Sequence, residues 1–224
     1  TMTLIYNAMK NKQVDQISLM EPVAKLTNGI SIALVASKAS GIKQYGDVAA
    51  YGRGNALRIA HTGKYSAAGV ALAWMTSTLP SFKNVICSGG DMVLQALSSD
   101  QADIGLAVTN TIPAAMKRTS DYEVVVTFGA DRSSHFPDVP TFGELINDRK
   151  KSFTTSFSML TYKSKPEDVV SGIREAFGQP FSPSLLASLG DLGQSIHIND
   201  ASTVRETLAR DFRVSLSVVN DLGV

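Results

Sequence analysis

Between residues 56 and 116 the chain alternates between two kinds of segment, and this alternation limits the possible folds more than any other feature. Ala56 to Ala60, Asn84 to Ile86 and Ala102 to Val108 are short apolar or β-branched runs that read as strands. Ala67 to Ser77, Asp91 to Leu97 and the segment opened by Pro113 read as helices, the proline sitting in a first turn where its missing N–H costs little. Strands that alternate with helices imply a parallel sheet joined by right-handed crossovers, hence an α/β fold. On either side lie Ile30 to Ala36 and Val124 to Phe128, small or β-branched throughout, as expected of strands buried on both faces. They are natural partners. A helix over Ser40 to Ala50, with Ile42 and Tyr45 inward, would lead from the first of them into the alternating block.

After the second flanking strand, Pro137-Asp138-Val139-Pro140 fixes an extended or turning chain, because each proline restricts its own φ and the residue before it. Thr141 and Glu144 have the spacing of a capping box, in which hydroxyl and carboxylate each satisfy a free backbone N–H at a helix start. Phe153 to Leu160 has strand character. Ser164 with Glu167, around Pro166, predicts a second capping box and a helix to about Phe177, and Ser182-Pro183 opens another that stops near Gly190. Gln194 to Ile198 reads as a short strand. A last helix from Asp200 carries Val204, Leu208, Phe212, Leu216 and Val219 on one face. Residues before Lys25 give no clear period.

The organisation implied is two-lobed. Residues 38–122 form an inserted α/β lobe, and residues 1–37 with 123–224 form a discontinuous outer lobe. The two flanking strands cross between lobes as a hinge, an arrangement that makes a cleft able to close on a small ligand.

Composition excludes several classes of function. With 224 residues, 44% hydrophobic and 18% charged, the chain can bury a sizeable core without disulfides. A formal net charge of +1 gives no broad basic field for nucleic acid or an anionic membrane. Cys87 is the single cysteine, so no intrachain disulfide forms, and the isolated His135 and His197 offer no metal-ligand spacing. No cofactor motif survives inspection. Gly52-x-Gly54 has Leu57 where a dinucleotide fingerprint needs its third glycine, and it precedes a strand instead of following one. Gly63-Lys64-Tyr65 has Arg58 where a phosphate loop needs its first glycine.

Candidate binding residues lie in three loops that each run from the carboxyl end of a strand into a helix start. They are Thr62, Gly63, Lys64 and Ser66; Ser88, Gly89 and Gly90; and Thr109 and Asn110. In an open α/β sheet such loops share one edge, where ligands bind. Glycine admits close backbone approach, hydroxyls and the amide exchange hydrogen bonds, and helix starts present free N–H groups with partial positive charge. That combination suits a carboxylate without requiring an arginine. Taken singly, each loop also reads as a set of helix caps. His61, Cys87 and Asn110 could alternatively be assembled into a thiol-nucleophile triad, which would make the chain a hydrolase.

The run Asp131-Arg132-Ser133-Ser134, then Phe136-Pro137-Asp138-Val139-Pro140-Thr141 and Glu144, resembles the signature of the Bug family, the extracytoplasmic solute receptors of tripartite tricarboxylate transporters. The resemblance implies a type II periplasmic-binding-protein-like fold, no enzymatic activity and a periplasmic location. It also implies a carboxylate ligand, dicarboxylate or tricarboxylate, that is passed to membrane permease subunits. It places the same loops at the ligand: Thr62, Gly63 and Ser66 on the family's small hydroxyl-rich loop, Ser88 and Gly89 on its Y-x-G-S loop, and Thr109 and Asn110 on its D-N dipeptide. Lys64, Tyr65, Cys87 and Thr109 depart from those patterns. The family's first strand, the loop after it and its next strand find no counterpart before Thr1, so the outer lobe is expected to lack its N-terminal part. The effector lobes of LysR-type regulators share the two-lobed architecture and form the competing expectation.

Overall fold

The computed structural model describes residues 19–25, 27, 30–64, 66–76, 78–79, 81–154, 157–191, 204–206, 209–210 and 213. The chain divides into two compact units, one of residues 30–154 and the other of residues 1–29 with 155–224.

The unit spanning residues 30–154 is built on a five-stranded sheet. In chain order its strands are β2 (Ile32–Ser37), β3 (Leu57–His61), β4 (Phe82–Ile86), β5 (Ile104–Val108) and β6 (Tyr122–Thr127), and in space they run β4-β3-β5-β2-β6. β3 pairs in parallel with β4 and with β5, as the strand–helix alternation requires. Helices α2 (Ala67–Met75) and α3 (Gly90–Ser98) make the crossovers. β2 runs antiparallel to both of its neighbours, β5 and β6, so the sheet is mixed. The flanking strands are thus direct partners, with Ala33 opposite Thr127. All six residues of β2 are buried, which explains its unbroken apolar sequence. The core below it gathers Val35, Ala60, Val93, Leu97 and Ile112.

Two local readings change. The helix expected over Ser40 to Ala50 is a 3₁₀ turn, Lys38–Ser40, followed by α1 (Tyr45–Gly54). Gly41, at φ 72°, ends the turn in the left-handed region that glycine adopts without cost. α1 then starts at a capping box made by Gln44 and Asp47. Further on, the short helices α4 (Ile112–Met116) and α5 (Phe142–Leu145) have their expected starts, with Pro113 in the first turn of α4.

The Pro137 to Glu144 stretch folds as its sequence spells out. Thr141 Oγ1 accepts from Glu144 N at 3.1 Å, and Glu144 Oε2 accepts from Thr141 N at 2.8 Å. Arg132 joins the two ends of the motif: its Nε donates to Glu144 at 3.1 Å and its Nη1 to the Pro137 carbonyl at 3.3 Å. Phe142 follows the cap into the core, stacked on Phe128 with ring centroids 5.1 Å apart. The backbone N–H of Thr127 donates to Pro140, which fastens the motif to the end of β6.

In the other unit β1 (Met20–Lys25) pairs antiparallel with β7 (Ser158–Tyr162), and α6 (Glu167–Gly178) packs on them through Val170, Ile173 and Phe177. Arg174 Nη2 ties α6 to β1 by donating to Glu21 at 2.9 Å and to the Pro22 carbonyl at 3.0 Å. The strand expected over Phe153 to Leu160 is found as β7, which runs on to Tyr162, and Phe153, Thr154 and Phe157 lie outside it. The capping box expected of Ser164 and Glu167 does not form: α6 begins at Glu167 with Pro166 as its cap residue, so Glu167 occupies the first helical position instead of the third. α7 (Pro183–Asp191) matches the helix expected there. Gln194 to Ile198 lies outside the described residues. Of the last expected helix, residues 204–206, 209–210 and 213 are helical, with Val204 buried.

Candidate functional site

Parallel pairing of β4, β3 and β5 brings all three predicted loops to one edge of the sheet. The first two loops are level with each other, since Cys87 N donates to the His61 carbonyl at 2.9 Å. The N-terminal end of β2 arrives at the same edge, where Thr109 N donates to the Ser31 carbonyl at 2.9 Å and Thr109 Oγ1 accepts from Ser31 N at 3.3 Å.

The loop after β3 is internally bonded. Thr62 Oγ1 donates to Ser66 Oγ at 3.0 Å, Ser66 Oγ donates to the Gly63 carbonyl at 2.8 Å, and the same Ser66 oxygen accepts from Gly69 N at 3.2 Å. Ser66 is therefore the cap of α2, and its hydroxyl proton and that of Thr62 are both committed within the loop. Gly63 sits at φ 101°, a conformation that favours glycine, and its N–H donates to His61 Nδ1 at 3.1 Å. Lys64 is exposed. Gly69 completes the fit: a Cβ there would lie 2.1 Å from the Lys64 carbonyl oxygen, so the loop rests directly on the first turn of α2. Sequence reading passed over Gly69; a glycine three residues past a serine cap was the available signal.

The other two loops keep more groups free for a ligand. α3, nine residues long, starts at Gly89 with no side-chain cap, leaving its first-turn N–H groups at the edge beside the exposed Ser88 and the half-buried Gly90. In the third loop Thr111 Oγ1 turns back to the Val108 carbonyl at 2.9 Å, so α4 also lacks a side-chain cap. Asn110 is 7% exposed, and its Oδ1 is buried without a hydrogen-bond partner. An unpartnered buried polar atom costs about 1–3 kcal/mol and is uncommon in folded proteins.

The arrangement does not support a thiol triad. His61 is 2% exposed, its Nδ1 bonded to Gly63 and its Nε2 2.9 Å from Asn84 Oδ1, so neither ring nitrogen is available to Cys87. Cys87 Sγ lies 3.7 Å from the Val85 carbonyl, and burial pushes the thiol above its ordinary pKa, opposite to what a nucleophilic thiolate needs. Among the described residues no group of three or more His, Cys, Asp or Glu could hold a metal ion, and no helix is long and apolar enough to cross a membrane.

At the opposite ends of β3 and β5 lies a cluster of paired charges. Asp103, 4% exposed, accepts from Arg58 N at 2.7 Å, Arg58 Nη2 at 2.7 Å, Arg58 Nε at 3.2 Å and Tyr51 Oη at 3.0 Å. It closes the strand pair at the end remote from the candidate site.

Known proteins share this architecture. A TctC solute-binding protein from Polaromonas superposes with a TM-score of 0.69 at 16% identity, over 98% of this chain and 75% of its own. The periplasmic binding protein BugD gives 0.74 at 15% identity, over 92% and 70%. MatC from Rhodopseudomonas palustris, solved with bound malate, gives 0.64 at 22% identity, over 88% and 69%. These likenesses establish the fold as the α/β fold of periplasmic binding proteins. No curated protein sequence matches the chain. The family model of the tripartite tricarboxylate transporter family receptor, TctC, matches residues 2–223, and the chain therefore belongs to that family.

Proposed function

We propose that the protein is an extracytoplasmic solute receptor that captures a small organic acid carrying at least one carboxylate and delivers it to the permease subunits of a tripartite tricarboxylate transporter. The observation that carries this reading is the uncapped start of α3, set on the same sheet edge as the unpartnered Asn110 Oδ1. First-turn N–H groups and the Ser88 hydroxyl would hold one carboxylate, and Asn110 Oδ1 would accept from a hydroxyl or other donor of the ligand. Gly63 and the committed hydroxyls of Thr62 and Ser66 would shape the wall of the site, and Thr109 would anchor its third corner. The structures of MatC with malate and of a second R. palustris protein with adipate support the carboxylate class. Membership in a receptor family supports a receptor over a regulatory effector lobe.

Isothermal titration of the natural full-length protein against malate, adipate, other dicarboxylates, citrate and amino acids tests the reading. Binding of a carboxylate, weakened about tenfold by Ser88→Ala and by Asn110→Ala, is expected, each substitution removing about one hydrogen bond to a charged ligand. Absence of binding by any carboxylate, or binding unchanged in both variants, would overturn it.

A further inference from the structure

His61 is a buried imidazole with two defined partners, and nothing in the receptor reading uses it. Because Gly63 N–H donates to Nδ1 at 3.1 Å, that nitrogen carries no proton, so Nε2 carries it and donates to Asn84 Oδ1 at 2.9 Å. The ring is thereby a strut between β4 and the first loop. On the loop side its only bond goes to a glycine in the left-handed conformation, two residues beyond the end of β3. Gly63 in turn supplies the carbonyl to which Ser66, the cap of α2, donates. The side-chain link from β4 to Gly63 thus runs through one acceptor lone pair.

We propose that His61 is the positioning residue of this ligand loop and that it works only as the neutral Nε2–H tautomer. The other tautomer would place the ring proton on Nδ1, facing the Gly63 N–H, and the loop would lose that tie. The titratable groups on the surrounding elements do not take over this role. Arg58 on β3 and Asp103 before β5 are paired with each other at the far strand ends, Lys83 on β4, Asp91 on α3 and Lys64 in the loop are exposed, and burial holds the Cys87 thiol protonated. Loop order, and with it ligand affinity, accordingly depends on an acceptor standing at the Nδ1 position.

The affinity part of this inference rests on the receptor reading; the loop part does not, and two kinds of readout separate them. Asn at position 61 places an amide oxygen where Nδ1 is and keeps an acceptor for Gly63, whereas Gln places its amide near Nε2 and keeps only Asn84. His61→Asn should bind malate or whichever carboxylate the native protein takes within about threefold of native, and His61→Gln about tenfold more weakly, the equivalent of one lost hydrogen bond. Amide exchange should show Gly63 protected in the native protein and in His61→Asn but not in His61→Gln, whether or not a ligand binds. Nitrogen-15 spectra of the native imidazole should show the Nε2–H tautomer. An Nδ1–H tautomer, equal Gly63 protection in the two variants, or equal carboxylate affinity in the two variants would each overturn the proposal.

Discussion

Removing Arg58 should unfold the 30–154 unit far more readily than its partly exposed position suggests. Its guanidinium and backbone N–H supply three of the four hydrogen bonds that Asp103 accepts, and Asp103 is 4% exposed. Arg58→Met takes away the two guanidinium bonds and leaves a buried carboxylate with only Arg58's main-chain N–H and the Tyr51 hydroxyl. Breaking a buried pair from one side costs about 3–5 kcal/mol, because the remaining charge stays desolvated. Arg58 is itself half-buried and also bonds the exposed Asp100, so the lower end of that range, about 3 kcal/mol, is expected. For a unit of this size each kcal/mol lowers the melting temperature by about 3–5 °C, which puts the fall near 10–15 °C. Asp103→Leu alone leaves the half-buried guanidinium with Asp100 as its remaining partner. Combined with Arg58→Met it removes both charges, so the double variant should be more stable than the sum of the single losses by at least about 2 kcal/mol. The assay is a thermal double-mutant cycle followed by near-ultraviolet circular dichroism. Additive losses within about 0.5 kcal/mol would show that the pair is not a coupled unit and would refute the reasoning. The same cluster sets a pH dependence. Burial pushes the Asp103 carboxyl up, but the hydrogen bonds from Arg58 and Tyr51 outweigh it and hold the pKa below the ordinary value. The stability contributed is therefore complete above about pH 4 and is lost as pH falls through the lowered folded-state pKa. Asp103→Asn should flatten the acid limb of a melting-temperature profile.

Three further outcomes can be checked on the same protein. Gly69→Ala should cost at least about 2 kcal/mol and weaken ligand binding, since its Cβ would collide with the Lys64 carbonyl, whereas Gly46→Ala, with nothing within 4 Å of the added methyl, should stabilise α1 by up to about 1 kcal/mol; thermal melts of the two variants decide it. Thr141→Ala should cost about 1–2 kcal/mol by loss of the helix cap, against about 0–1 kcal/mol for Arg132→Ala, whose ion pair with Glu144 is exposed; equal losses in urea melts would count against the capping account. Cys87 should react with a disulfide probe at neutral pH more slowly than a free cysteine thiol, and its modification should leave no esterase activity to be lost; faster labelling than the free thiol would contradict its raised pKa.

What the sequence disclosed follows the range of the forces involved. The Thr141–Glu144 box, the Pro113 helix start and the α2 and α3 crossovers rest on contacts within a few residues, and each was readable. The family resemblance of the Arg132 to Glu144 run has a physical basis, because the arginine clasps both the cap carboxylate and the proline corner. β1 was not readable. It contains Pro22 and Glu21 and exists only through pairing with Ser158–Tyr162, with an irregularity between Pro22 and Ala24 that accommodates the proline. The antiparallel setting of β2 was equally hidden, since a strand buried on both faces looks alike whichever way it runs. The Ser164 cap failed for a local reason, the helix beginning one residue beyond the proline. In the candidate site the residue types were legible, but which hydroxyls were already bonded was not. Thr62 and Ser66 proved to be partners of each other, and the structural role of His61 depended on Asn84, 23 positions away.

The reversed course of β2 has a mechanical consequence. Because this strand runs against its neighbours, the backbone comes into the 30–154 unit at the rim where the candidate loops sit. Ser31, at that doorway, is stitched to Thr109 by a pair of bonds, and Phe153, near the way out, donates to Phe128 at 2.8 Å, which in turn donates to Ile32 at 2.8 Å. Doorway and exit are knotted together beside Asn110. Loosening Ser31 is therefore expected to free both ends of the unit's backbone together.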